Sequence, residues 1–217
     1  IENDIPHPLI VAAVSSIKVD GAVSVEINST KQTISIVLEE TTDIKNVNIR
    51  NISFNDPSVK PSWNVCGLRD LTNPIKLTLT TFDDYEWRIE ATRPIERHFT
   101  MGLQVGESTI DVENKRVVVR VAASANIRNL SITSIKLGPK DICNYTPDPD
   151  SIRDFSEEQT IQVAYHNVRE QWKIYVEQST STVRFLKIDP WTKIVWMTAE
   201  GIAGNENGFR IRKAGTD

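Results

Sequence analysis

The 217-residue sequence is poor in the residues that build most metal and nucleophilic centres, with 2 cysteines and 3 histidines. The histidines, His7, His98 and His166, are far apart in sequence, and none belongs to an HExxH or paired-histidine zinc motif. Cys66 and Cys143 permit at most one disulfide, and neither has the neighbouring base that a cysteine nucleophile needs. We therefore expect no metal and no cofactor.

Long apolar runs and an excess of positive charge are also missing. The longest apolar stretch, Leu9–Val14, is much shorter than the roughly 20 residues of a membrane-spanning helix. The chain has 25 basic and 29 acidic residues and a formal net charge of -4. This balance lacks the basic surface typical of nucleic-acid-binding proteins. We expect neither a membrane span in this chain nor a nucleic-acid partner.

What the sequence does contain is a duplicated segment of about eighty residues, longer than the repeats of most solenoids. Val25–Phe54 aligns with Ser108–Leu137 at an offset of 83, and further along an offset of 85 pairs Trp87 with Trp172. A drift of two positions is what small loop insertions produce. The repeat therefore predicts tandem domains instead of one continuous superhelix.

Apolar residues in both copies alternate with a period of two, which is the pattern of half-buried strands. Valine, isoleucine and threonine dominate these runs, and turn-forming residues separate them. We predict an all-β fold with two tandem immunoglobulin-like β-sandwich domains, residues 1–94 and 95–180, and the start of a third β domain, residues 181–217. The predicted strands of the first copy are 9–19, 23–28, 33–40, 46–54, 75–81 and 85–92, and those of the second are 98–104, 107–112, 115–122, 130–137, 159–165 and 170–178.

The sequence after residue 180 does not align with either copy. Strands are predicted at Val183–Ile188, Ile194–Ala199 and Phe209–Lys213. Three short strands do not close a sandwich core, so we assign them to an incomplete third domain. Trp191 and Trp196 are predicted to pack inside it.

Trp87 and Trp172 occupy equivalent positions on the last predicted strand of each copy. Each lies on the apolar parity of its strand, whereas its immediate neighbours are charged or polar. Burial of such a ring is worth about 2–3 kcal/mol or more, which is large for a small domain. We predict that both rings face inward and serve packing instead of binding.

A resemblance to a known family covers nearly the whole chain. "DFSEEQTIQVAYHNVREQWKIYVEQ" at Asp154–Gln178, then "DPWTKIVWMTAEG", a glycine-rich turn and "GFRIRKAGTD", resemble the "putative carbohydrate metabolism domain" proteins, exported surface lipoproteins of gut bacteria. "VGESTIDVENKRVVVRV" at Val105–Val121 resembles their N-terminal repeat. The resemblance implies immunoglobulin-like repeats ahead of a glycan-handling jelly roll that would follow residue 217. It also implies an outer-membrane-associated surface location with a lipid anchor upstream, and it supplies no catalytic residues.

The acidic residues form no convincing catalytic or metal motif. Asp148, Asp150 and Asp154 in "TPDPDSIRD" could offer oxygen ligands to calcium, but the loop lacks the glycine and glutamate of an EF-hand, and a stiff, extended, solvated loop is favoured. Glu39–Glu40 and Glu157–Glu158 fall in or beside turns, where water keeps both carboxylates ionised. The chain also lacks a GxSxG elbow and a P-loop. We predict that this chain is not itself an enzyme.

Two aromatic residues in loop-like sequence remain as candidate ligand contacts. Trp63 in "PSWNVCG" and Tyr145 in "CNYTPD" both follow the fourth predicted strand of their copy. Projecting rings there could meet a glycan or another surface protein. The alternative is that each ring covers the end of its own sandwich.

Two functions stay open at this point. The first is a non-catalytic surface module that spaces, presents or adheres. The second is the carbohydrate-binding or accessory region of a glycoside hydrolase whose active domain lies downstream.

Overall fold

The computed structural model describes residues 10–179 in full and the strands 182–188 and 195–200 by their backbone. The chain divides into two compact units: unit 1 is residues 1–95 with 139–142, and unit 2 is residues 96–138 with 143–217. Apart from one short 3-10 helix, Pro149–Ser151, every regular element in these described ranges is a strand. The all-β prediction is confirmed. The number of immunoglobulin-like domains stays a prediction.

Unit 1 contains two sheets that share one hydrophobic cluster. The smaller sheet has the order β1-β4-β6 and the larger has the order β2-β3-β8-β7-β5. In the larger sheet, β3 and β8 run parallel while the other neighbours are antiparallel. The strands are β1 (Val14–Val19), β2 (Ala22–Asn28), β3 (Thr33–Leu38), β4 (Val47–Phe54), β5 (Lys60–Pro61), β6 (Gly67–Arg69), β7 (Ile75–Thr80) and β8 (Asp84–Thr92).

Unit 2 repeats most of this arrangement. Its larger sheet has the order β10-β11-β15-β14-β13, again with one parallel pair, β11 and β15, and its smaller sheet pairs β12 with β9. A further hairpin, β16 with β17, agrees with two of the strands predicted after residue 180. The strands are β9 (His98–Met101), β10 (Thr109–Asp111), β11 (Arg116–Val121), β12 (Ile132–Lys136), β13 (Asn144–Thr146), β14 (Gln159–Tyr165), β15 (Val168–Gln178), β16 (Thr182–Ile188) and β17 (Val195–Glu200).

Strand register follows the sequence repeat residue by residue. Ile34 on β3 lies opposite Ile89 on β8, and the equivalent Val117 lies opposite Ile174. All four side chains are fully buried. The parallel strand pair inside the larger sheet is therefore formed by the same apolar positions in both units.

The turns that lead into these strands are also equivalent. Asn28 accepts a hydrogen bond from Lys31 N–H at 2.9 Å, and 83 residues later Asp111 accepts one from Asn114 N–H at 3.0 Å. Such Asx turns let a short polar side chain replace a missing backbone partner. The turns end at Gln32 and Lys115, which share a left-handed φ of 53°.

The two framework tryptophans are buried as predicted. Trp87 and Trp172 each have 0% exposure, and they lie opposite Leu77 and Ile161 on the neighbouring antiparallel strand. Their indole nitrogens find different partners. Trp87 Nε1–H donates to the carbonyl of Ala12 at 3.3 Å, whereas Trp172 Nε1–H donates to a carboxylate.

Every strand predicted in the two copies is present, but three short ones escaped prediction. These are β5, β6 and β13, which are two or three residues long and carry no run in which alternation can be recognised. Two predicted boundaries were wrong by three residues or more: β1 begins at Val14 instead of residue 9, and β9 ends at Met101 instead of residue 104. The predicted strand Phe209–Lys213 and Trp191 lie outside the described residues, and only the backbone of Trp196 is described.

Truncation of either interior ring should destabilise the protein strongly. Trp87→Ala and Trp172→Ala remove a fully buried ring and leave a cavity, so each should lower the free energy of unfolding by about 3–5 kcal/mol in urea denaturation. Val23→Thr is a matched control on β2, because Val23 is 67% exposed. It should change stability by no more than about 0.5 kcal/mol. A loss below about 1 kcal/mol in either tryptophan variant would contradict the packing role.

Candidate functional site

Trp63 is the exposed aromatic residue that the sequence singles out in unit 1. It lies between β5 and β6 and keeps 39% of its surface exposed. Its indole N–H donates to the carbonyl of Lys76 on β7 at 3.1 Å. The guanidinium of Arg69 lies 5.2 Å from the ring centroid, a cation–π distance. The ring is thus held at its edge and over one face while still meeting solvent.

Arg69 fixes the loop that carries Trp63. One of its terminal nitrogens donates to the carbonyls of Asn64 and Cys66 at 2.7 and 2.6 Å, and the other donates to the carbonyl of Leu68 at 2.7 Å. Its Nε is buried and has no hydrogen-bond partner. The loop that carries Trp63 is therefore held by several hydrogen bonds, and an aromatic ring immobilised in this way would lose little entropy on binding.

Tyr145 has a different setting from Trp63. It lies on β13 instead of in a projecting loop, and faces Val163 in the same register in which Pro61 faces Leu79 in unit 1. Its hydroxyl oxygen accepts a hydrogen bond from Leu137 N–H at 3.1 Å. Burial raises the pKa of Tyr145 to about 12. The hydroxyl is therefore tied into unit 2, and the two candidate aromatics occupy non-equivalent positions in separate units.

A charged cluster surrounds the edge of Trp172 in unit 2. The carboxylate of Glu170 accepts hydrogen bonds from Trp172 Nε1–H at 2.9 Å and lies 3.0 Å from Lys115 Nζ. The side chains of Glu170 and Lys115 are only 15% and 30% exposed. Arg97 and Lys115 both lie within cation–π distance of the ring, at 5.6 and 5.4 Å. Both members of the ion pair contact Trp172, and the sequence did not predict this cluster.

The two cysteines are free thiols. Burial raises the pKa of the Cys143 thiol, so little thiolate is present near neutral pH. A Cβ atom at Gly138 would stand only 2.6 Å from Cys143 Sγ, so the thiol fills space that requires glycine on the neighbouring segment. These observations fit a packing role for Cys143.

The acidic loop considered for calcium is not extended as predicted. Asp148 caps the 3-10 helix Pro149–Ser151 by accepting from Asp150 N–H at 3.0 Å, because a short acidic side chain can satisfy a free helix N–H. Hydrogen bonds from Ser156 lower the pKa of Asp154. Within the described part of the chain, no three His, Cys, Asp or Glu side chains converge on a point where a metal ion could bind.

The histidines lie at separate places. His98 is on β9 and its Nε2 lies 2.7 Å from Ser134 Oγ. His166 adopts a left-handed φ of 44° in the turn between β14 and β15. His7 lies outside the described residues.

One cleft in unit 2 was not anticipated from the sequence. It has a volume of about 400 Å³ and lies beside β9, β10 and the segment that connects them. The residues around it are mixed in polarity, with two apolar side chains among charged and hydrogen-bonding ones. They are Arg97, His98, Phe99, Thr100, Gln104, Gly106, Glu107, Ser108 and Ile110.

Comparisons with known proteins gave a structural match and no match of any other kind. No family model matches it, and no curated protein matches it. A solved structure from Bacteroides thetaiotaomicron VPI-5482, described as a "putative glycoside hydrolase", is 18% identical over 52% of this chain and 35% of that chain, with a TM-score of 0.37. The match spans about a third of that protein. In the described ranges, no helix is long and apolar enough to cross a bilayer.

Because Tyr145 is partly buried, its hydroxyl should ionise at a higher pH than that of an exposed tyrosine. Because the folded-state pKa is about 12 against about 10 for an unfolded tyrosine, the neutral phenol is favoured by folding. Its contribution to stability is fully present below pH 10 and is lost as the pH rises through 12. A tyrosinate absorbance titration should show a late step that Tyr145→Phe removes. Loss of a step near pH 10 instead would contradict the assignment.

The hydrogen bonds of the two indole N–H groups should contribute differently to the free energy of unfolding. Trp172→Phe removes a hydrogen bond to a charged, half-buried carboxylate, whereas Trp87→Phe removes a longer bond to a neutral carbonyl. Bonds to charged groups contribute about 1.5–3 kcal/mol and neutral ones about 0.5–1.5. Trp172→Phe should therefore lower the free energy of unfolding more than Trp87→Phe in urea denaturation. Equal losses would show that the Glu170 contact adds nothing.

Proposed function

We propose that this chain is a non-catalytic module of two tandem immunoglobulin-like β-sandwich domains, which spaces, presents or attaches a larger surface protein. The observation that carries the proposal is the repetition, in both units, of the strand order and apolar register of the larger sheet. Each copy of a small sandwich has its own hydrophobic core, which suits a module that spaces or presents a larger protein.

The distribution of what is repeated supports a structural role. Apart from the turns at Asn28 and Asp111, the repeated residues are buried ones, such as Trp87 with Trp172 and Leu77 with Ile161. The exposed features differ, because Trp63 lies in unit 1 and the cleft beside β9 lies in unit 2. Duplication has thus preserved packing positions, while loops and edges have diverged.

The carboxylates give further support. Glycoside hydrolysis needs one carboxyl group whose pKa is raised so that it can donate a proton. In this chain, hydrogen bonds from Tyr175 and Lys173 lower the pKa of Glu158. Hydrogen bonds from Thr72 likewise lower the pKa of Asp70. These groups are held ionised and are poor proton donors.

The resemblance at Val105–Val121 and Asp154–Gln178 supports placing the module at the surface of a gut bacterium. On this proposal the protein is exported and associated with the outer membrane through a lipid anchor upstream. Its partner is then another surface protein, whereas a glycan partner belongs to the second candidate function below, and a carbohydrate-handling domain follows residue 217.

A second candidate function is carbohydrate binding by this chain, as the accessory region of a glycoside hydrolase. The observation that favours it is the fixed, part-exposed ring of Trp63. Flat rings with a locked orientation are suited to stack against the apolar face of a sugar.

Calorimetric titration of a panel of bacterial, plant and host oligosaccharides into the 217-residue chain separates the two functions. The spacer proposal expects no binding heat from any of them. Micromolar binding that Trp63→Ala abolishes and Trp63→Phe largely keeps would establish carbohydrate binding in its place. The matched control is Phe82→Ala, which removes another exposed ring, 74% accessible, from unit 1.

A further inference from the structure

The smaller sheet of unit 2 has an edge that a second strand could pair with. β9 has one strand neighbour, β12, among the described elements. On the β12 side, Gly102 N–H donates to the carbonyl of Ser131 at 2.9 Å. Backbone groups of alternate residues on a strand point to opposite edges. The polar groups of Phe99 and Met101 therefore point away from β12, toward the cleft.

Side chains from the segment after β9 occupy this edge. Met101 N–H donates to Gln104 Oε1 at 2.9 Å, and Ser108 Oγ–H donates to the carbonyl of Phe99. Gln104 Nε2 in turn donates to Ser108 Oγ at 3.1 Å and to the carbonyl of Gly106 at 2.9 Å. Side chains thus bond to Met101 N–H and to the carbonyl of Phe99, two backbone groups that would bond to a neighbouring strand inside a sheet.

An extra residue shapes this segment. In unit 1, Ala22 pairs with Leu38 and Glu26 pairs with Ser35. In unit 2 the corresponding pairs are Gln104 with Val121 and Thr109 with Val118. The first residues of these pairs are four positions apart in unit 1 and five apart in unit 2. Unit 1 already has a register shift between Ala22 and Ser24, and the extra residue of unit 2 enlarges this irregularity into a segment that contains Gly106 at φ 74°. Irregularities of this kind interrupt edge strands.

Unit 1 treats the equivalent edge differently. Ala22 occupies the position of Gln104 and has no side-chain amide that could bond to the strand edge. On β1, Lys18 lies opposite Asn51, and its counterpart Thr100 on β9 lies opposite Ser134. Lys18 is exposed, and a lysine on an edge strand is a common barrier to strand pairing because a second copy would bring like charges together.

We propose that residues 104–108 form an intramolecular cap on the edge of β9, and that the uncapped edge pairs with β9 of a second copy of this chain. A two-fold antiparallel pairing would join two β9–β12 sheets into one of four strands, because the same edge is presented by both copies. The cap keeps unit 2 from associating through this edge.

The test uses Gln104→Ala with Ser108→Ala in the 217-residue chain. Sedimentation velocity over a range of concentrations should show a dimer that grows with concentration beyond any seen for the unaltered chain. Hydrogen exchange of the Met101 amide in the monomer, followed by NMR at low concentration, should accelerate up to about tenfold, since one net hydrogen bond is lost. Thr133→Ala is the control, because it removes the 2.8 Å contact with Thr100 Oγ1 without touching the edge.

Adding Thr100→Lys to the double variant gives β9 the residue found at this position in unit 1. It should abolish the new dimer while the Met101 amide still exchanges rapidly. A double variant that is folded by circular dichroism and does not dimerise, or a dimer that Thr100→Lys leaves intact, would overturn the proposal.

The unaltered chain provides a second measurement that does not depend on the folding of a variant. If the cap exists, the Met101 amide should be protected from exchange to the same degree as the Gly102 amide, which is bonded to β12. Exchange of Met101 at the rate of an unprotected amide would overturn the proposal.

Discussion

Each unit depends on the burial of one tryptophan ring between two small sheets. A sheet of two or three strands is marginal by itself, and the five-stranded sheet needs an apolar cover on one face. Trp87 lies on β8, the strand that pairs in parallel with β3 and in antiparallel with β7. The ring therefore lies at the centre of the larger sheet, and Trp172 has the same place on β15.

The same interior position tolerates different polar surroundings. In unit 1 the indole N–H reaches a backbone carbonyl, that of Ala12. In unit 2 it reaches Glu170, whose charge is balanced by Lys115. A half-buried carboxylate is costly unless it is paired and hydrogen-bonded, so unit 2 must keep this set of side chains together. Any catalytic use of Glu170 would compete with that packing.

Much of the fold could be predicted from the sequence because period-two alternation and the repeat both report on burial. Trp87 and Trp172 were predicted as core residues on those grounds, and both are buried. The short strands and the position of Tyr145 could not be predicted. Their structure is decided by individual hydrogen bonds, such as that from Leu137 N–H to the Tyr145 hydroxyl, and such bonds leave no periodic pattern in the sequence.

The candidate site likewise has features that the sequence predicts and features that only the structure shows. The sequence around Trp63 predicts that this ring lies in a loop. Its fixed orientation comes from Arg69 and from the carbonyl of Lys76, which the sequence does not show. The cap on β9 was hidden for a similar reason. In the sequence, one inserted residue between Gln104 and Thr109 is only a change of one in the spacing. The structure shows that the side chains of Gln104 and Ser108 hydrogen-bond to the edge of β9.

Oxidation of the folded chain with N-bromosuccinimide, followed by peptide mass spectrometry, tests the central claim most directly. The account predicts that Trp63 is oxidised at low reagent excess, while Trp87 and Trp172 stay unmodified until the chain is unfolded in denaturant. Oxidation of Trp87 or Trp172 in the folded chain at a rate close to that of Trp63 would contradict it.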